Sequence, residues 1–120
     1  NGDSARRLRQ ALAGLPYRRL VLVMATSRDK DVAGMVRELA PLAPRVIATQ
    51  TRHPRSLPAC QLMAEWAKYS LKLQAVEAVA GAMALARSMA AAEDMVLATG
   101  SLFLVAEVLE AAGVAVKEDF

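Results

Sequence analysis

Three short apolar runs constrain this chain more than any other feature: "LVLVM" at 20–24, "RVIA" at 45–48 and "MVLA" at 95–98. A continuous apolar run too short for a core helix is the pattern of a strand buried on both faces, which occurs mainly in parallel sheets covered by helices. The intervening segments read as those helices. Asp3 or Ser4 caps a first one, "SARRLRQALAGL", with Ala5, Leu8, Leu12 and Leu15 at helical spacing, Arg6, Arg7 and Arg9 mostly outward, and Gly14 and Pro16 at its end. Strand one is then about Leu20–Ala25. Asp31 caps a second helix through about Ala40, whose apolar face is Val32, Met35, Val36 and Leu39, and Pro41 and Pro44 stop it before the strand "RVIATQ".

The prolines of "TRHPRSLP" mark a loop, after which Leu62, Met63, Trp66 and Ala67 mark a third helix. "LKLQAVEAV" alternates like a strand from Leu71 to Val76. No Gly or Pro lies between Pro58 and Gly81, however, so one long helix competes with that reading. A fourth helix covers about Glu77–Ala91, another buried strand Met95–Ala98, and a fifth helix Ser101 to about Ala112, with Gly113 where a left-handed cap belongs. "VAVKEDF" reads as a last, edge strand. Strands alternating with helices imply right-handed crossovers, hence one Rossmann-like α/β domain over residues 1–120, with a mainly parallel sheet flanked by helices on both faces.

At 120 residues the chain suits a single domain. With 55% hydrophobic and 22% charged residues it is not a disordered chain, and no run of about 18 uncharged apolar residues suggests a membrane span. "NGDSARRLRQ" resembles neither a signal peptide nor an import sequence, and a start without Met reads as an excised piece. Cys60 has no internal partner, which favours a reducing compartment, and Cys60 with His53 is too small a set for a structural metal.

The charge is unevenly spread. Residues 1–60 carry eleven Lys/Arg against four Asp/Glu, and residues 61–120 four against eight. The basic half is where an anion is attracted. With 4% aromatics and no basic recognition helix, a small phosphorylated ligand fits better than nucleic acid.

Two strand-to-helix junctions are polar: "TSRDKD" at 26–31 and "TGS" at 99–101. In a parallel sheet both lie at one edge, beside helix N-termini that favour anions. A plainer account makes Asp31 and Ser101 ordinary N-caps and Gly100 a turn glycine. No GxxxxGK[ST], GxGxxG or HExxH occurs, so any nucleotide must be shared with residues elsewhere, and no Ser has a nearby base for a hydrolytic triad. His53 reads as a loop residue, and Cys60, Trp66 and the methionines as packing.

In this order along the chain, "NGDSARRLRQALA", "SRDKDVAGMVRELAPLAPRVIATQTRHPRSLP" and "EDMVLATGSLFLVAEVL" resemble the C-terminal domain of the folylpolyglutamate synthase/dihydrofolate synthase family, within the Mur ligase superfamily. Asp29-Lys30-Asp31, Pro54-Arg55 and Thr99-Gly100-Ser101 with "LFLVAEV" carry the likeness jointly. The resemblance implies an ATP-dependent amide ligase of the cytoplasm. An N-terminal ATPase domain outside this chain holds most of the ATP and Mg²⁺ and phosphorylates a carboxylate, and L-glutamate then attacks the acyl phosphate. The C-terminal domain closes over that cleft, with its own N-terminal domain, folate and L-glutamate as partners and no part for nucleic acid or membrane. Lys30 is then the catalytic residue expected to meet an anion. Asp29 or Asp31 orients the lysine or the incoming ammonium, Thr99 and Ser101 supply donors, and Arg55 holds a substrate carboxylate. Asn1 matches the asparagine of the family's Asp-Gly-Ala-His-Asn-Pro and is expected at ATP, although Gly2 replaces the proline; Met24 stands where the family often has Gly, and Phe103 where Tyr is frequent. From another class, a noncatalytic α/β binding or regulatory module remains the alternative, although "ATQT" lacks the acid that a phosphoacceptor domain needs at that strand end.

Overall fold

The computed structural model describes residues 2–69 and 72–113. Strands β1 (Leu20–Met24), β2 (Arg45–Ala48), β3 (Leu73–Ala75) and β4 (Met95–Thr99) alternate with helices α1 (Gly2–Ala13), α2 (Val32–Leu39), α3 (Ala59–Trp66), α4 (Val79–Met89) and α5 (Leu102–Ala111). All pairings are parallel, in the order β3-β2-β1-β4. The expected α/β sandwich is therefore present, and its continuous apolar strands explain it. Leu22, Met24, Val46 and Ala48 face one way, into a core with Val36, Leu39, Leu62 and Trp66 from α2 and α3. Val21, Val23, Ala25 and Ile47 face the other, against Val79, Ala82 and Ala86 of α4 and Leu104 of α5. A period of two with both phases apolar buries every residue of β1.

The differences from the sequence reading have local causes. Helix α1 begins at Gly2, so Asp3 is not a cap but lies in the first turn, where its charge suits the helix dipole and meets Arg6 Nη2 at 2.8 Å. It ends at Ala13, leaving Leu15 exposed rather than on the buried face. Asp31 caps α2 as expected, its carboxylate accepting from Gly34 N at 3.0 Å. A strand at Leu73–Ala75, not a continuous helix, lies between α3 and α4, inside the Leu71–Val76 alternation, of which Leu71 lies outside the described residues. β4, expected as another buried strand, is half-buried throughout, and among the described residues it pairs only with β1. Gly113 does take the left-handed conformation, with φ 83°. The expected edge strand "VAVKEDF" lies outside the described residues. No described helix is long and apolar enough to cross a membrane.

At the amino end of the sheet, Asp94 anchors the entry to β4. Its Oδ2 accepts from Ala91 N at 2.9 Å and lies 3.6 Å from Arg19 Nη2. The Ala91 N–H, aided by Arg19 and Arg18, holds this carboxyl below the usual 3.8 although burial opposes it. A carboxyl depressed in the folded state contributes stability that is present above its unfolded pKa and lost as pH falls through the folded value. Asp94→Asn should therefore lower the melting temperature at pH 7 and flatten its decline below about pH 4, as thermal melts of both proteins across that range will show.

Candidate active site

The path of the chain fixes where a ligand can sit. From β1 the chain moves through α2, β2 and α3 to β3, all on one side of β1; it then crosses by α4 to the opposite face and places β4 on the other side of β1. The connections after β1 and β4 thus diverge at the carboxyl ends of neighbouring strands, the topological switch point where open α/β sheets bind ligands. Both polar junctions picked out in the sequence meet there.

A cleft of about 670 Å³ opens at this point, and Asp29, Lys30, Arg55, Thr99 and Ser101 all line it. Lys30 is exposed at the end of a tight turn, where its N–H reaches Ser27 O at 3.3 Å. No ion pair among the described residues involves its ammonium. Asp29 Oδ2 and Arg55 Nη1 are 3.9 Å apart across the mouth, a solvated and weak contact. Ser101 lines the cleft and caps α5, its Oγ accepting from Leu104 N at 3.0 Å. The positive end of α5 therefore points into the cleft beside two cationic side chains.

Gly100 makes this approach possible. Its φ of 128° suits only glycine, and a Cβ there would overlap the carbonyl of Ala25 at the end of β1. The backbone thus turns from β4 into α5 directly across the neighbouring strand.

Asp31 stands apart from the other expected site residues. Its carboxylate is occupied as the α2 cap, and it is not among the residues lining the cleft. Asn1 lies outside the described residues. Among the cleft residues that the sequence did not mark as part of a site are His53 and Phe103, whose rings stack with centroids 4.1 Å apart at an angle of 26°. The signal for His53 was its position just beyond the carboxyl end of β2, the same edge as the two polar junctions. Among the described residues no three His, Cys, Asp or Glu side chains gather as a metal site. This donor set fits the anionic part of a nucleotide or an acidic substrate rather than a divalent metal.

The loop after β2 is joined to the turn after β1. Ser27 and Ser56 form an antiparallel bridge, with Arg28 N donating to Arg55 O at 2.9 Å and Leu57 N to Thr26 O at 2.8 Å. Arg55 is thereby carried to the cleft beside the turn that holds Asp29.

Comparison with known proteins places the chain in a family. The model of the Mur ligase glutamate ligase domain matches residues 1–102. E. coli FolC, solved in complex with DHPP and ADP, superposes with a TM-score of 0.87 at 30% identity over 94% of this chain. The Yersinia pestis bifunctional folylpolyglutamate synthase/dihydrofolate synthase, complexed with AMPPNP and Mn, gives 0.83 at 25% identity over 95%. A Mycobacterium tuberculosis folylpolyglutamate synthase complexed with ADP and AMPPCP gives 0.87 over 98%, and at 24% identity that likeness concerns the fold alone. The chain spans only 27% to 29% of these proteins. No curated protein sequence matches it.

Proposed function

The chain belongs to the Mur ligase family as a glutamate ligase domain, and from that premise we propose that it is the C-terminal domain of an ATP-dependent ligase adding L-glutamate to folate. One observation carries the reading: Lys30, Asp29, Arg55, Thr99 and Ser101, from three separate loops, line one cleft at the switch point of the sheet. Such a cleft closes against an ATPase domain outside these residues, which holds most of the nucleotide and its Mg²⁺. Bound ATP supplies the phosphoryl group that activates the acceptor carboxylate. The ADP, AMPPNP and Mn in the FolC-type structures are consistent with that requirement.

The residues of this chain then divide the work by charge and position. The Lys30 ammonium is a compact charge on a flexible stem, suited to follow an anion as negative charge moves onto the transferring phosphoryl oxygens. Thr99 and Ser101, with the N-terminal dipole of α5, stabilise the same anionic region from the opposite wall. Asp29 attracts the ammonium of the incoming glutamate and, once it is deprotonated, keeps the amine oriented. Arg55 takes a substrate carboxylate through its planar fork. Asp31 contributes through the α2 cap that fixes the turn carrying Lys30. A cytoplasmic location belongs to the same proposal.

Lys30→Ala in the full-length protein tests the reading. We expect kcat/KM to fall more than tenfold, roughly 1.4 kcal/mol of transition-state stabilisation, with a nearly unchanged melting temperature because the side chain is exposed and without an ion pair among the described residues. Normal turnover by the variant, or early melting with normal turnover while folded, would make the cluster scaffolding and remove Lys30 from the mechanism.

A further inference from the structure

One stripe of α5 is directed at the loop after β2 rather than at the core. Leu104 and Ala106 hold the helix on the sheet and are fully buried or nearly so. Phe103, Glu107 and Glu110, at positions i, i+4 and i+7, lie on another side, and all three engage residues 52–53. Glu107 Oε2 accepts from Arg52 N at 2.9 Å, and Glu107 Oε1 lies 3.4 Å from Arg52 Nε. Glu110 Oε2 takes Arg52 Nη2 at 2.6 Å. Phe103 stacks on His53, whose Nδ1 accepts from Arg55 N at 3.1 Å. A continuous set of contacts therefore runs from α5 through Arg52 and His53 to the backbone of Arg55 at the cleft.

The exposures separate the parts of this arrangement. The Arg52 side chain is 72% exposed and that of Glu107 only 12%. The ion pair on the solvent side is screened and worth little, whereas a nearly buried carboxylate accepting a backbone N–H makes a stronger, charge-assisted bond at fixed geometry. The backbone bond is thus the part that sets the loop.

We propose that Glu107 is a positioning residue, whose carboxylate clamps the loop at Arg52 and so holds Arg55 at the cleft to receive a substrate carboxylate. The clamp stands on the geometry above; its consequence for substrate rests on the ligase reading. α5 consequently serves the site twice, through its N-terminus at Ser101 and through this stripe one to two turns later.

The test uses the full-length protein, with Glu107→Ala, Glu107→Gln, Arg55→Ala and the double variant Glu107→Ala/Arg55→Ala. Hydrogen exchange of residues 52–56 reads the clamp, and steady-state kinetics with L-glutamate and folate read its use. Glu107→Ala should speed exchange in 52–56 at least tenfold and raise the KM for one carboxylate substrate at least fivefold, with kcat within about twofold. Glu107→Gln keeps an oxygen for Arg52 N and should restore most of both. The double variant should have a KM no worse than that of Arg55→Ala, because Glu107 acts through Arg55. Unchanged exchange in Glu107→Ala overturns the clamp, and multiplicative KM effects overturn action through Arg55. Faster exchange with no change of KM for any substrate, in Glu107→Ala and Arg55→Ala alike, leaves the clamp standing and removes Arg55 from the ligase reading.

Discussion

Trp66→Ala should lower the stability of the domain by about 3–5 kcal/mol, which at this size is a fall of very roughly 15 °C in melting temperature. The indole is fully buried and is the largest side chain in the core on the α1–α3 face, where it shares a cluster with Met24, Val46, Ala48 and Leu62. Truncation removes both its transfer free energy and its contacts, and a short helix held against β2 and β3 cannot collapse onto all the space left. Trp66→Phe should cost far less, on the order of 1 kcal/mol, because the aromatic ring stays and the variant removes an indole N–H that has no acceptor among the described residues. Thermal melts by far-UV circular dichroism read both variants. A Trp66→Ala protein melting within 2–3 °C of the parent would contradict the core described here.

Gly100→Ala should be comparably damaging, by about 3 kcal/mol or more, combining the cost of a positive φ with a steric conflict. The conflict is with backbone, the Ala25 carbonyl, and flexible side chains cannot relieve it. Ala25 N is itself bonded to Thr99 O at 3.3 Å, so β1 and β4 must part at their carboxyl ends to admit the methyl group. Gly113 supplies the control, since its φ is 83° but a Cβ there meets nothing among the described residues within 4 Å. Gly113→Ala should cost only about 1 kcal/mol. The difference between the two melting temperatures isolates the steric part. Because Thr99 and Ser101 flank Gly100, the Gly100→Ala ligase should also lose activity in its folded fraction, whereas the Gly113→Ala ligase should not. Equal effects of the two substitutions on stability would mean that the strand ends are not packed as closely as described.

Much of the site was readable before the fold because its parts are local. Asp31 and Ser101 each cap the helix that begins at the next residue, and a capping side chain bonds N–H groups only two or three positions along the chain. The polar turn "SRDKD" follows a run with both phases apolar, which already places it at the end of a buried strand. What such signals lack is any measure of distance between segments. Asp29, Lys30 and Asp31 are adjacent in sequence, yet two line the cleft while the third is turned into a cap. His53, plain in its Pro-flanked loop, comes into the cleft because Phe103, fifty residues later in the sequence, stacks on it.

The sequence by itself determined the fold class, the alternation of strands and helices and the polar character of the sheet's carboxyl edge, because hydrophobic period, caps and turn residues act over a few positions. Only the tertiary structure decided the order of the four described strands, and with it the switch point between β1 and β4 and the grip of α5 on the loop after β2. Those features depend on which surfaces meet across long separations in the chain, and two apolar faces of similar character carry no local mark of the partner each will bury.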